Sequence, residues 1–119
     1  MRYFLDTFAI MEIIKGNPKY KKYLDDDLFT SLMNLYEMYY NLLGASDEKS
    51  AKEKFFQFID FTVPINDSHI FLASKFRMEI KSGVSYVDAL GYAIAKQGRM
   101  KFLTGDRAFK DINNVEFVG

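Results

Sequence analysis

The sequence predicts a three-layer α/β/α sandwich built on a central, mainly parallel sheet of four to five strands. Short apolar runs alternate with longer amphipathic patterns along the whole chain. Because parallel neighbouring strands need crossover connections, which are usually helical, this alternation favours a parallel sheet covered by helices on both faces. The length of 119 residues, without repeats or low-complexity segments, predicts one domain over residues 1–119.

Five short apolar runs are predicted to form the strands. Asp6 ends the first run, and Gly105 directly follows the fourth. Pro64 lacks a backbone donor, so the third strand is expected at a sheet edge or to carry Pro64 at its end. The predicted strands are residues 3–5, 28–30, 61–65, 101–104 and 115–118.

Apolar residues at helical spacing predict helices between these strands. Asp67 is expected to cap a long helix that ends at Gly83. Ile70, Ala73 and Met78 are predicted on its inward face, whereas His69 is predicted to have a capping or surface role. Further helices are expected around residues 10–14, 19–23, 32–43, 47–60, 85–94 and near residue 108.

The composition narrows the class of protein. Cysteine is absent, which excludes disulfides and thiolate metal sites. We expect a cytoplasmic protein that does not associate with membranes, because the first apolar run is too short for a signal peptide and no run is long enough to span a membrane.

The overall charge gives no argument for nonspecific binding to nucleic acid, because 16 basic residues balance 16 acidic ones. Any attraction for a polyanion must therefore come from local clusters of basic residues. Two such clusters are Lys15, Lys19, Lys21 and Lys22, and Lys96, Arg99, Lys101, Arg107 and Lys110.

Four acidic residues occur where strands give way to helices, or on the helices that follow. Ligands of an open parallel sheet bind beyond the carboxyl ends of its strands, so these side chains are expected to meet in one cleft. Mutual repulsion there calls for a cation, and hard oxygen ligands suit Mg²⁺ or Mn²⁺. A buried pair of Asp88 with Arg107 is the alternative. The four residues are Asp6, Glu37, Asp88 and Asp106.

With these residues in place, the chain resembles a PIN domain, specifically the short, single-domain type of the VapC-like toxin ribonucleases. The resemblance runs from residue 1 to residue 119 and depends on the order and spacing of four short motifs. The motifs are Tyr-Phe-Leu-Asp-Thr at residues 3–7, Asn-Leu-Tyr-Glu at 34–37, Tyr-Val-Asp-Ala-Leu at 86–90 and Leu-Thr-Gly-Asp-Arg-Ala-Phe at 103–109.

The resemblance implies roles for individual residues. Asp6 and Asp106 would bind a divalent ion directly, and Asp88 would bind it directly or through water. Glu37 would bind a second ion or orient the attacking water. The supporting polar residues would be Thr7 and Thr104, and Arg107 is a candidate for contact with the substrate phosphate.

The resemblance also implies an activity and partners. The reaction would be hydrolysis of RNA with Mg²⁺ or Mn²⁺, giving 5′-phosphate and 3′-hydroxyl ends, by the toxin of a type II toxin–antitoxin pair. A small antitoxin would block the site, and the protein would form a homodimer. Phe8, Tyr39 and Tyr40 are candidates for an aromatic interface, although packing in the core is the usual fate of such residues.

Two other functions remain open at this point. One is a catalytically inactive PIN-fold interaction module in RNA processing, since a fold can persist without its activity. The other is a phosphate-transfer domain of the receiver or haloacid-dehalogenase type, which also places an Asp at the end of its first strand. A haloacid dehalogenase needs a second Asp at position 8, which is Phe8 here, and the paired early acids of a receiver are absent.

Overall fold

The computed structural model of the chain describes residues 1–80 and 83–119. Short 3₁₀ helices occupy Pro18–Tyr23, Ile59–Phe61 and Arg107–Phe109. Over the described ranges, no helix has both the length and the hydropathy that a membrane span requires. The remaining elements are β1 (Arg2–Leu5), α1 (Thr7–Ile14), β2 (Asp27–Phe29), α2 (Leu32–Ala45), α3 (Glu48–Phe58), α4 (Asp67–Glu79), α5 (Tyr86–Gln97), β3 (Lys101–Thr104) and β4 (Val115–Phe117).

The described strands form one sheet in the order β2-β1-β3-β4, and every neighbouring pair is parallel. β1 and β3 are the two inner strands, with Leu5 opposite Leu103 in the register. Their carboxyl ends therefore lie side by side, with Asp6 following one strand and Gly105 the other. This topology confirms the predicted α/β class and the parallel sheet.

The predicted strand over residues 61–65 is wrong. Ile59–Phe61 forms a 3₁₀ helix, and Thr62 makes only a single parallel bridge, to Thr30. Pro64 cannot donate a backbone hydrogen bond to a neighbouring strand. The segment therefore stops at one bridge beyond β2 and does not extend the four-stranded sheet.

Alternation of side chains along β1 separates two hydrophobic cores. Tyr3 and Leu5 pack with residues of α1, α2 and α3 on one face of the sheet. Phe4 points to the opposite face and packs with residues of α4 and α5. Because successive residues of a strand face opposite sides, both faces of the sheet are buried. The three-layer arrangement is thus confirmed.

The buried face of α4 differs from the predicted one. Ala73 is buried against α5, as predicted, whereas Ile70 and Met78 are exposed, Met78 to 88%, and His69 is buried in their place. The His69 imidazole also caps the helix, since its Nδ1 accepts from the backbone N–H of Asn66 at 3.1 Å. A polar residue therefore belongs to the buried stripe, which displaces the stripe from the face that apolar residues alone indicate.

The ends of α4 also differ from the prediction. Asn66, and not Asp67, is the N-cap, with its side chain accepting from the backbone N–H of His69. The helix ends at Glu79, and Ile80 is already extended. Gly83 has the predicted positive φ, at 75°. It does not cap the helix directly, because it follows the last helical residue by four positions.

We expect the substitution Gly91→Ala to lower the free energy of unfolding by about 1–2 kcal/mol, despite the better helix propensity of alanine. A Cβ atom at Gly91 would lie 2.7 Å from the Phe4 ring and 3.2 Å from the Phe102 ring. Both rings are fully buried and have little room to move. Urea unfolding of the two proteins measures the difference.

Gly44→Ala in α2 is the matched control, because a Cβ atom at this position meets nothing within 4 Å. The same substitution there should stabilise the protein by up to about 1 kcal/mol. Equal effects at Gly44 and Gly91 would contradict the tight packing of α5 on the sheet.

Candidate active site

Asp6 lies at the centre of the site, where β1 gives way to α1. Its carboxylate caps α1, since Oδ1 accepts from the backbone N–H of Ala9 at 2.8 Å. Its other oxygen, Oδ2, accepts from the Thr104 hydroxyl at the end of the neighbouring strand β3. The parallel pairing of β1 with β3 makes this contact possible, and it leaves the Asp6 side chain only 1% exposed.

Asp106 stands two residues beyond the end of β3 and is half-buried. Its backbone N–H donates to the Thr104 hydroxyl oxygen at 3.0 Å. Its carboxylate caps the short 3₁₀ helix that follows, accepting from the Ala108 N–H at 3.0 Å. Thr104 therefore connects Asp6 with Asp106 through one buried hydroxyl group.

Asp88 reaches the site from the first turn of α5 and is also half-buried. Ser85 is the N-cap of this helix, and its hydroxyl accepts from the backbone N–H of Asp88 at 3.1 Å. The exposed N–H groups of a first helical turn favour a negative charge. Local sequence thus places a carboxylate at the start of α5, facing the end of β1.

Glu37 lies on the second turn of α2, as predicted, and contacts the site through Thr7. The Thr7 hydroxyl donates to Oε1 of Glu37 at 2.6 Å and accepts from the Asn34 side-chain amide at 3.2 Å. Glu37 is half-buried, while Asn34 is fully buried. α1 and α2 are thereby joined by polar contacts beside Asp6.

The four carboxylates occupy two adjoining clefts. Thr7 and Asn41 line both of them. Three of the acids, Asp6, Asp88 and Asp106, line a cleft of about 320 Å³. Glu37 lines the neighbouring cleft, which measures about 390 Å³. We call the first the acidic cleft; it is lined by Asp6, Thr7, Phe8, Met11, Glu12, Lys15, Asn41, Asp88 and Asp106.

Burial makes the negative charge of Asp6 costly. The pKa of Asp6 is raised to about 7, chiefly by burial and also by the charges of Asp88 and Asp106, although the hydrogen bonds from Thr104 and Ala9 oppose the increase. Burial likewise raises the pKa of Asp88, opposed by its hydrogen bonds to Ser85 and assisted by the charge of Glu37. The surroundings of the cleft therefore disfavour the ionised forms of Asp6 and Asp88.

These residues fit a divalent cation. None of the four carboxylates forms a salt bridge within residues 1–80 and 83–119. In the same part of the chain, no group of three or more His, Cys, Asp or Glu side chains is already arranged around a single ion position. Mg²⁺ tolerates such a site, because it usually binds through one or two carboxylates and keeps several waters.

The predicted supporting residues Thr7 and Thr104 contact the acids, whereas Arg107 lines a different cleft. Thr7 and Thr104 each donate a hydrogen bond to one of the acids, Glu37 and Asp6 respectively. Arg107 is exposed and lines a separate cleft beside Gly105, so the alternative of a buried pair with Asp88 finds no support.

Sequence reasoning missed several residues of the site. The Asn34 amide donates to Thr7, Asn41 lines both clefts, and Lys15 lines the acidic cleft while pairing with Glu12 at 3.4 Å. Asn34 opens the Asn-Leu-Tyr-Glu motif at 34–37, three residues before Glu37, which puts both on neighbouring turns of one helix. The motif alone assigns Asn34 no role in the site. Nothing in the sequence marks Asn41.

Several solved structures share this fold. A toxin–antitoxin complex from Klebsiella pneumoniae has a TM-score of 0.79 and 19% identity, covering 98% of both chains. VapC20 of Mycobacterium tuberculosis, described as a sarcin–ricin loop cleaving toxin, has a TM-score of 0.78 and 17% identity, covering 98% of this chain and 99% of the other. VapBC2 of Rickettsia felis, bound to a promoter DNA fragment, has a TM-score of 0.77 and 20% identity, covering 98% and 97%.

Sequence comparison assigns the family. A search of curated proteins found no significant match. The family model of the PIN domain, however, matches residues 3–115, which include Asp6, Glu37, Asp88 and Asp106. This match replaces the receiver and haloacid-dehalogenase alternatives, and it agrees with the resemblance of the four motifs. The chain belongs to the PIN domain family.

Proposed function

We propose that this PIN domain is a Mg²⁺- or Mn²⁺-dependent endoribonuclease and the toxin of a type II toxin–antitoxin pair. The observation that carries the proposal is the convergence of Asp6, Asp88 and Asp106 on one cleft, to which Thr7 joins Glu37. Family membership and the fold shared with VapC20, a sarcin–ricin loop cleaving toxin, support the same conclusion.

The side chains divide the work of the proposed reaction. Asp6 and Asp106 would hold the cation directly, Asp88 would hold it directly or through water, and Glu37 would hold a second ion or orient the attacking water. A bound divalent cation would lower the pKa of that water and neutralise charge on the scissile phosphate. The Thr104 hydroxyl fixes one oxygen of Asp6 and keeps its carboxylate in a single orientation.

A second, more basic cleft supports RNA as the substrate. It measures about 200 Å³ and brings together Lys19 and Arg107, which belong to the two separate basic clusters of the sequence. Phe8 lines both this cleft and the acidic cleft, and it is 44% exposed. Cationic side chains beside an exposed aromatic ring suit the phosphates and bases of an unpaired strand. We therefore assign Arg107 to a substrate phosphate.

An exposed apolar groove between α2 and α3 supports a protein partner. Leu32, Tyr36 and Phe56 are each more than half exposed there. Contiguous apolar surface of this kind usually marks an interaction site. Tyr36 also lines the cleft of Glu37, so a small antitoxin in this groove would reach the edge of the site.

We further propose a cytoplasmic homodimer of single-domain subunits. Of the three aromatic residues expected at an interface, Tyr40 is the most exposed and Phe8 is partly exposed. Tyr39 is half-buried and packs edge-on against Phe55. Tyr40 and Phe8 therefore remain candidates for the interface, while Tyr39 contributes to packing within the subunit.

We expect RNA cleavage that requires a divalent cation. A panel of transfer RNA, ribosomal RNA fragments and unstructured RNA is incubated with the protein and Mn²⁺, with and without excess chelator. Cleavage should stop in chelator, return on addition of Mn²⁺, and leave 5′-phosphate ends. Cleavage that continues in chelator would contradict the metal requirement. No cleavage of any RNA, with Mn²⁺ bound, would favour the inactive interaction module.

A further inference from the structure

A chain of polar side chains connects the start of α2 with the acidic site. The Ser31 hydroxyl donates to Oδ1 of Asn34 at 2.6 Å, Nδ2 of Asn34 donates to the Thr7 hydroxyl at 3.2 Å, and that hydroxyl donates to Glu37 at 2.6 Å. Ser31 and Asn34 are fully buried. We propose that Asn34 is a positioning residue that fixes the Thr7 proton on Glu37 and thereby holds Glu37 for the cation, an inference that rests on the proposed function.

The Glu37 carboxylate at the end of this series fixes the direction of every hydrogen bond in it. A carboxylate can only accept, so the single proton of the Thr7 hydroxyl must go to Glu37. The Thr7 oxygen is then left to accept, and Asn34 must present its NH₂ group to it. The carbonyl oxygen of Asn34 consequently faces Ser31, which must donate. The Ser31 oxygen accepts in turn from the backbone N–H of Asn34 at 3.3 Å.

A second threonine of the site, Thr104, has the same arrangement of hydrogen bonds. The Thr104 hydroxyl donates to Asp6 and accepts from the backbone N–H of Asp106 at 3.0 Å. In both cases a threonine gives its proton to an acid because an N–H group occupies its oxygen. The N–H group that occupies the Thr104 oxygen belongs to the backbone of Asp106, whereas the one that occupies the Thr7 oxygen belongs to the side chain of Asn34. The Asn34 donor can therefore be removed by replacing the side chain.

The burial of Asn34 explains why its substitution should affect the position of Glu37. Asn34 is fully buried and Thr7 is 9% exposed, so the N–H group on the inner side of the Thr7 oxygen comes from Asn34 and not from water. Leucine in place of Asn34 has the same branching at Cγ but cannot donate a hydrogen bond. The Thr7 hydroxyl would then be free to turn, and the half-buried Glu37 side chain would lose a fixed donor. Loss of a group that orients a metal ligand typically weakens metal binding about 10- to 100-fold.

Calorimetric titration of Mn²⁺ tests the inference through a double-mutant cycle of Asn34→Leu and Thr7→Val. Each single variant should bind Mn²⁺ about tenfold more weakly than wild type. If Asn34 acts through Thr7, the double variant should bind no more than about twofold more weakly than Thr7→Val alone. Thermal unfolding of each metal-free variant is measured alongside.

Thr30→Val is the matched control for loss of a buried hydroxyl. Thr30 is fully buried and donates to the backbone oxygen of Leu5 at 2.8 Å, outside the chain that ends at Glu37. It should lower the unfolding temperature but leave Mn²⁺ affinity unchanged. If Asn34→Leu fails to fold, Ser31→Ala removes the proton that orients Asn34 and should weaken Mn²⁺ binding about threefold.

The outcomes separate two failures. Wild-type affinity in Asn34→Leu, or an equal loss with and without Thr7, would overturn the positioning role while leaving the proposed function in place. Absence of Mn²⁺ binding by the wild-type protein would overturn the proposed function and the positioning role with it.

Discussion

The substitution Asp6→Asn should lower Mn²⁺-dependent RNA cleavage at least about 100-fold. Asparagine has nearly the same shape and can still accept the N–H of Ala9 that caps α1. It removes the negative charge at the junction of β1 and β3, where the acidic cleft is most deeply buried. The cleavage rate per enzyme, measured on one RNA under single-turnover conditions, gives the effect.

Asp60→Asn is the matched control for this change. Asp60 is exposed, lies in the 3₁₀ helix before Thr62, and does not line the acidic cleft. Its substitution should leave cleavage unchanged. If Asp6→Asn cleaves RNA at the wild-type rate while remaining folded, the acidic cleft is not the site of the reaction.

The metal-free protein should lose stability through Asp6 as the pH rises from about 4 to about 7. The folded protein holds the Asp6 proton up to a pKa of about 7, whereas the unfolded chain releases it near 3.8. In this window the folded state binds more protons, so raising the pH favours unfolding. The full effect is roughly 4 kcal/mol once both states are ionised.

A comparison of wild type with Asp6→Asn isolates this contribution from those of other groups. The two proteins should have similar stabilities near pH 4, and the variant should be the more stable by several kcal/mol at pH 8, in chelator. Added Mn²⁺ at pH 8 should stabilise wild type and have much less effect on the variant. A constant difference across the pH range would show that Asp6 is not held neutral by burial.

The sequence predicted the main features of the sheet and the ends of its inner strands. Alternation of strands and helices implies parallel pairing, and parallel pairing brings the carboxyl ends of strands together. Asp6 and Asp106 could therefore be expected to approach each other from their positions after β1 and β3. The prediction of a strand at 61–65 was wrong because such a strand would have to pair along β2, and the segment forms only one bridge, from Thr62 to Thr30 beyond the end of β2.

The polar contacts of the site could not be predicted in the same way. The hydrogen bond from Asn34 to Thr7 depends on the distance between two helices that are separated by β2 in sequence. Glu37 lies on the second turn of its helix, so it opens into the neighbouring cleft and reaches the other acids through Thr7. His69 illustrates the related problem that a polar residue can occupy a buried helical stripe.

Calorimetric titration of Mn²⁺ into the chelator-treated wild-type protein at pH 7 tests most directly whether the acidic cleft is a metal site. We predict saturable binding with release of protons, because the cation displaces the proton that burial retains on Asp6. Asp106→Asn should weaken this binding at least about tenfold, while Asp60→Asn should leave it unchanged. Absence of binding by wild type, or equal binding by Asp106→Asn, would contradict the assignment of this cleft as the metal-dependent active site.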